Sequence, residues 1–417
     1  LDLIDREPAA PESTARRRGL RSRALDPRRR LLVVVERNGV LTLEERIPAR
    51  RGAGLRRRAA RSLGLGGEVL DQLPFRTLPR DQIGRRLEAL DRRLTLGGDS
   101  KAVYGLKKVR RDGKLVPWTS SGDPSRLLLI IHGTFSSCSS VIGEMRATAD
   151  GQAFLAQAHR HYDEIVAFDH PTLAVPPFLN ARALAMALGS TRAHVDVICH
   201  SRGGLVARWW LEALDDGSRS KRRCAFVGSP LAGTSLASPP SIQATLSLFA
   251  NIGRAIGTAT AAAPFLAVAT GLFHVFSSVT SLVAKTPIVD AALALVPGLQ
   301  AQSRVGNNGE ILSLRSGEFV PTRYFAIQSN FEPDRVGWAF WKAFRSIGTR
   351  AADLAVDPIF DGPNDLVVDT ISMTALSDEQ GIPKSHTHDF GTNGRVYHTN
   401  YFRQTETFEA LAKWWFV

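Results

Sequence analysis

The chain has 417 residues, 44% of them apolar, enough for a sizeable core and, by length, two or three domains. Three cysteines, Cys138, Cys199 and Cys224, are an odd number with no metal-pair spacing. They do not suggest a disulfide framework. The net charge of +13 lies wholly in residues 1–125, with 29 Lys and Arg against 16 Asp and Glu.

Residues 1–30 read as a basic, disordered arm rich in Arg, Pro and Ala. The chain starts at Leu1, so it is read as a fragment or a processed chain, and no signal peptide is visible in its polar opening. The arginine runs, such as Arg16-Arg17-Arg18 and Arg56-Arg57-Arg58, suit either a solvated face or an anion-attracting surface. Such a surface would serve an anionic membrane or an acidic partner. No aromatics interleave the runs, which argues against nucleic acid.

Residues 31–118 read as a small mixed α+β domain, or as strands leading into a larger sheet. "LLVVVERNGVLTLEER" predicts a hairpin turning at Asn38-Gly39, and "VYGLKKVRRDGKLVPW" a second at Asp112-Gly113. Between them "DQIGRRLEALDRRL" has helical periodicity.

From residue 119 the pattern changes. The runs "RLLLIIHG", "DEIVAFDHP", "HVDVICHS", "RCAFVGSP" and "RYFAIQSN" are continuously apolar, with helical stretches between several of them. That predicts an α/β architecture, a mainly parallel sheet covered by helices on both faces. Functional groups then gather at the carboxyl ends of the strands. One stretch stands apart. Between Cys224 and Ala284 the one charged residue is Arg254. Residues 236–303 are therefore read as an insertion forming an apolar helical lid, with buried helices or a membrane span as alternatives.

The chemistry is carried by "DVICHSRGGLVARWW". A strand that becomes a helix within three residues needs glycines at the turn, and Ser201 stands at its apex. A serine hydroxyl is a weak nucleophile. It requires a base, an orienting carboxylate and N–H donors for the oxyanion. After "LLLIIHG", the Thr134 N–H is a candidate donor, paired with the N–H of Arg202. The acid is sought in "PIFDGPNDLVVDTISM", where Asp365 lies between Asp361 and Asp369. The base is sought in "GRVYHTNYFRQTETFEALAKWW", read as a short strand, His398 and a last amphipathic helix. His386 and His388 lie upstream in a stretch read as a loop. They form a His-x-His pair without further metal-ligand spacing.

Residues 126–417 resemble the lipase-like branch of the α/β-hydrolase superfamily, including bacterial triacylglycerol lipases and neighbouring deacylases. The resemblance rests on "HGT", "CHSRGGLVAR", "VGSPLAGTSLA", "NDLVV" and His398 before the last helix, in that order. It implies an α/β-hydrolase fold from residue 119 to 417, with Ser201 as nucleophile, His398 as base and Asp365 as acid. It also implies an acyl ester or lipid-like substrate, no cofactor and no metal, in a bacterial protein of the cytoplasm or the membrane periphery. An acyltransferase or amidase would use the same triad, and a non-catalytic binding module the same fold. Cys199 stands where the family usually has glycine, and Thr399-Asn400-Tyr401 does not support the calcium site of some relatives.

Overall fold

The computed structural model describes residues 4–6, 29–37, 40–46, 68–77, 80–97, 102–119, 124–189, 191–215, 222–237, 296–304, 308–332 and 362–416. The described residues fall into two compact units, one before Leu87 and one from Leu87 onward. Most of the segment 236–303, most of the arm 1–30, and Asp361 lie outside them.

The smaller unit contains an antiparallel sheet ordered β1-β4-β2-β3, from β1 (Ile4–Arg6), β2 (Arg29–Arg37), β3 (Val40–Arg46) and β4 (Glu68–Thr77). β2 and β3 pair down to Arg37 opposite Val40, so two residues, Asn38 and Gly39, join them. Helix α1 (Arg80–Thr95) follows, over the stretch with helical periodicity.

The larger unit is built on eight strands. They are β5 (Gly105–Val109), β6 (Leu115–Pro117), β7 (Arg126–Ile131), β8 (Glu164–Asp169), β9 (His194–His200), β10 (Arg222–Val227), β11 (Tyr324–Phe331) and β12 (Thr387–Asn393). Their order is β12-β11-β10-β9-β7-β8-β5-β6. The six strands from β12 to β8 run parallel, and β5 and β6 close one edge antiparallel. This is the α/β-hydrolase arrangement. The predicted hairpin at Asp112-Gly113 is that edge, so the main sheet begins before residue 119.

β7 explains why its sequence reads as unbroken apolar residues. Leu127, Leu129 and Ile131 point to one face, and Leu128 and Ile130 to the other, all of them buried. One face packs on α2 (Cys138–Arg146), α3 (Ala149–His161) and α7 (Thr405–Trp415), through Met145, Phe154, Phe408 and Trp415. The other packs on α4 (Pro177–Leu188) and α5 (Gly203–Trp209), through Leu184, Leu188, Val206 and Ala207. A leucine buried in this way contributes about 2 kcal/mol. α2 and α3 start where their sequences supply caps: the hydroxyls of Ser137 and Thr148 accept from the N–H groups of Ser140 and Gly151. A further helix, α6, spans Gly309–Ser316 and is capped by Asn308. Among the described residues, no helix is long and apolar enough to cross a membrane.

The last strand differs from expectation. β12 covers Thr387–Asn393, so His388 lies on a strand and His386 in a helical turn before it, while "RVYHTN" forms a loop. The cause is local. The Asn393 side chain accepts from Arg395 N–H and Val396 N–H, and the Asn400 side chain accepts from Tyr397 N–H. These Asx turns compete with extended pairing and win over so short a run.

Candidate active site

The parallel strands deliver their carboxyl ends to one edge of the sheet. β9 ends at His200, and Ser201 follows with φ of 53°, a left-handed conformation for a residue with a Cβ. Its N–H donates to the Val227 carbonyl at the end of β10, and its carbonyl accepts from Gly204 as α5 begins. The junction works because the residues around it are small. A Cβ on Gly203 would stand 2.7 Å from the Ile131 carbonyl oxygen, and one on Gly204 2.5 Å from Ser229 Oγ. Cys199 is fully buried, with its Sγ 3.6 Å from that of Cys224, so a thiol fits where strand and helix cross.

The Ser201 hydroxyl lies 2.8 Å from His398 Nε2, and His398 Nδ1 lies 2.8 Å from Asp365 Oδ2. All three residues are buried. Asp365 accepts from Val367 N–H and Val368 N–H at Oδ1, and from His398 and the Tyr401 hydroxyl at Oδ2. Four donors on one carboxylate fix its orientation. A charged Asp365 requires the hydrogen of His398 to sit on Nδ1, which turns the lone pair of Nε2 toward Ser201.

The turn after β7 lies against the same serine. A Cβ on Gly133 would come within 2.7 Å of Ser201 Cβ, so a glycine is required there. Thr134 follows, its hydroxyl accepting from the Gln302 amide at 3.0 Å, and then Phe135 with φ of 55°. Arg202 opens the first turn of α5, where N–H groups have no intrahelical acceptor. Among the described residues the non-glycine positive φ values are those of Phe135, Ser201 and Leu366. Each is at or beside a residue singled out from the sequence.

Residues 104–416 match a family described as a domain of unknown function, DUF7379. The chain belongs to the DUF7379 family. No curated protein matches it. Among solved structures it is similar to lipase 1 from Pelosinus fermentans, at 13% identity over 70% of this chain and 98% of that one, with a TM-score of 0.41. The Staphylococcus hyicus lipase is 14% identical over 72% and 97% of the two chains, with a TM-score of 0.36. A metagenomic carboxyl esterase is 12% identical over 81% and 95%, with a TM-score of 0.34. Likeness of this degree says nothing about the activity of the DUF7379 domain.

The other described candidates, Asp369, His386 and His388, have partners of their own in this DUF7379 domain. Asp369 accepts from Ser235 N–H and hydroxyl and pairs with Arg304 at 3.4 Å. His386 Nδ1 donates to the Tyr324 carbonyl, and its ring stacks on Phe325. His388 sits edge-on to Phe390. Among the described residues one group has the makings of a metal site. His132, Cys138 and Asp169 bring their ligand atoms within 4.8 Å of one another. Two of the three already have partners. His132 Nε2 accepts from His170 N–H, and Asp169 accepts from Cys138 N–H and pairs with Lys107 at 2.5 Å.

Three features of the site carry no sequence signal. The Arg202 side chain is fully buried, with Nη2 donating to the Val175 carbonyl, and burial lowers its pKa to about 10. His200 bonds to the backbone of His398, and Tyr401 to Asp365. The Tyr401 contact needs a residue without a side chain opposite it: a Cβ on Gly228 (φ 55°) would stand 2.7 Å from the tyrosine ring. Tyr401→Phe leaves Asp365 Oδ2 with one donor fewer. The carboxylate that orients His398 is then held less firmly. We expect kcat for a model ester to fall about 3- to 10-fold, which initial rates of the folded variant will show.

Proposed function

We propose that this domain is a serine hydrolase that cleaves carboxylic esters with acyl or lipid-like groups through an acyl-enzyme. The observation that carries the reading is the continuous chain of hydrogen bonds from Ser201 Oγ through His398 to Asp365. Ser201 Oγ attacks the ester carbonyl while His398 Nε2 takes its proton. Asp365 stabilises the imidazolium that forms. The oxyanion is received by N–H groups of the Gly133–Thr134 turn and of Arg202. His398 returns the proton to the leaving alcohol, and water then enters by the reverse path. Transfer to another alcohol or an amine would use the same acyl-enzyme.

A fluorophosphonate probe tests this before any natural substrate is known. The expected result is a covalent adduct on the peptide carrying Ser201, together with turnover of p-nitrophenyl esters. A folded protein that takes no label at Ser201 overturns the proposal. In a series from acetate to palmitate, we expect longer acyl chains to be preferred, in keeping with the apolar composition of residues 236–303.

A further inference from the structure

His200 precedes Ser201, and its ring is turned onto the base. His200 Nε2 lies 2.8 Å from the carbonyl oxygen of His398, and the two rings stand 4.9 Å apart. Phe402 meets the His200 ring edge-on. A carbonyl oxygen only accepts, so His200 Nε2 carries the hydrogen. The N–H of His398 donates to the Asp365 carbonyl at 3.0 Å. The peptide of His398 is therefore held at both ends, through N–H to the segment of the acid and through C=O to the strand of the nucleophile.

We propose that His200 is a positioning residue, holding His398 at hydrogen-bond distance from Ser201 by donating from Nε2 to the His398 carbonyl. Its catalytic consequence rests on the hydrolase reading above; the bond itself does not. The need for such a brace follows from the fold. His398 stands in the loop between β12 and the helical turn Tyr401–Arg403, outside any regular element that would fix its Cα. The neighbouring residues are held by Asn393 and Asn400, and neither of these side chains bonds to His398 itself. A misplacement of about 1 Å in a reacting group lowers a rate about 100-fold.

The chemistry of the imidazole suits the task. Loss of hydration, then the neighbouring His398, push the proton affinity of His200 down to a pKa of about 3, against the pull of the His398 carbonyl and Asp365. His132 acts in the same direction as His398. His200 therefore stays neutral, and when His398 takes the serine proton it meets no second imidazolium beside it.

Two substitutions and one spectrum test this in the full chain. His200→Phe keeps an aromatic ring and removes the donor, whereas His200→Gln keeps an N–H donor of similar reach. With p-nitrophenyl butyrate, His200→Phe should lower kcat about 10- to 100-fold and leave KM within about twofold. Fluorophosphonate labelling should slow by the same factor, and His200→Gln should recover most of the loss. A folded His200→Phe protein with unchanged kcat overturns the proposal, as does a loss equal in both variants. The third measurement needs neither activity nor a variant that folds. In the ¹⁵N spectrum of the histidine side chains, His200 of the natural chain should be neutral, with its hydrogen on Nε2. A hydrogen on Nδ1 alone rules out the brace. If the protein takes no fluorophosphonate but His200 shows the Nε2–H form, the hydrolase reading fails and the brace stands.

Discussion

Ser201→Ala is expected to abolish ester turnover, with kcat falling about 10⁴-fold or more, and to leave the fold intact. The size follows from the chemistry: without Oγ no acyl-enzyme forms, and what remains is catalysis by oxyanion stabilisation and binding alone. The fold should persist because Oγ makes its hydrogen bond to His398, whereas the contacts that shape the turn belong to the backbone and to Gly203 and Gly204. Alanine tolerates the positive φ of position 201 no worse than serine does. The melting temperature should therefore stay within a few degrees of the natural value. Purified, folded Ser201→Ala that keeps full activity would remove Ser201 from the chemistry.

The elbow was legible because its sequence encodes a steric requirement. The glycines at 203 and 204 mark points where helix and strands approach too closely for any Cβ, and Gly133 marks the approach of the β7 turn to Ser201. The sheet was legible for a related reason. Strands covered on both faces lose the alternation of polar and apolar residues, so β7 through β11 read as apolar blocks. Between Asp365 and Asp369 the sequence could decide only through the resemblance. In the structure the difference lies in partners far along the chain, Ser235 and Arg304 for one and His398 for the other. The contacts of His200 and Tyr401 are not foreseen in the sequence. One bonds to a backbone carbonyl 198 positions away, and the other donates across 36 positions, and neither separation leaves a local pattern. The strand expected before His398 failed because asparagine side chains outcompeted pairing there, which hydrophobic periodicity does not register.

The histidines separate the proposed mechanism from its nearest rival. His398→Ala should lower kcat about 10⁴-fold or more, because Ser201 then has no base within reach. His386→Ala and His388→Ala, alone or together, should stay within a few-fold of the natural rate. His386 is occupied with the Tyr324 carbonyl and the Phe325 ring, and His388 lies on the edge strand beside Ile327. Desolvation holds the proton affinity of His388 below the usual range, which keeps it a neutral packing residue rather than a charged one. The carboxylates should divide in the same way. Asp365→Asn retains the shape of the acid but removes the charge that holds the His398 hydrogen on Nδ1. The ring can then adopt the tautomer whose Nε2–H points at Ser201 and cannot accept its proton. A fall in kcat of about 10⁴-fold is expected, with KM little changed. Asp369→Asn weakens the contacts to Ser235 and Arg304, and should appear in the melting temperature rather than in kcat. Parallel rates and melting curves for the five single variants and the double His386→Ala, His388→Ala variant decide the matter. If the His386 and His388 changes abolish turnover while His398→Ala retains it, the base is in the His-x-His segment and the triad assignment falls.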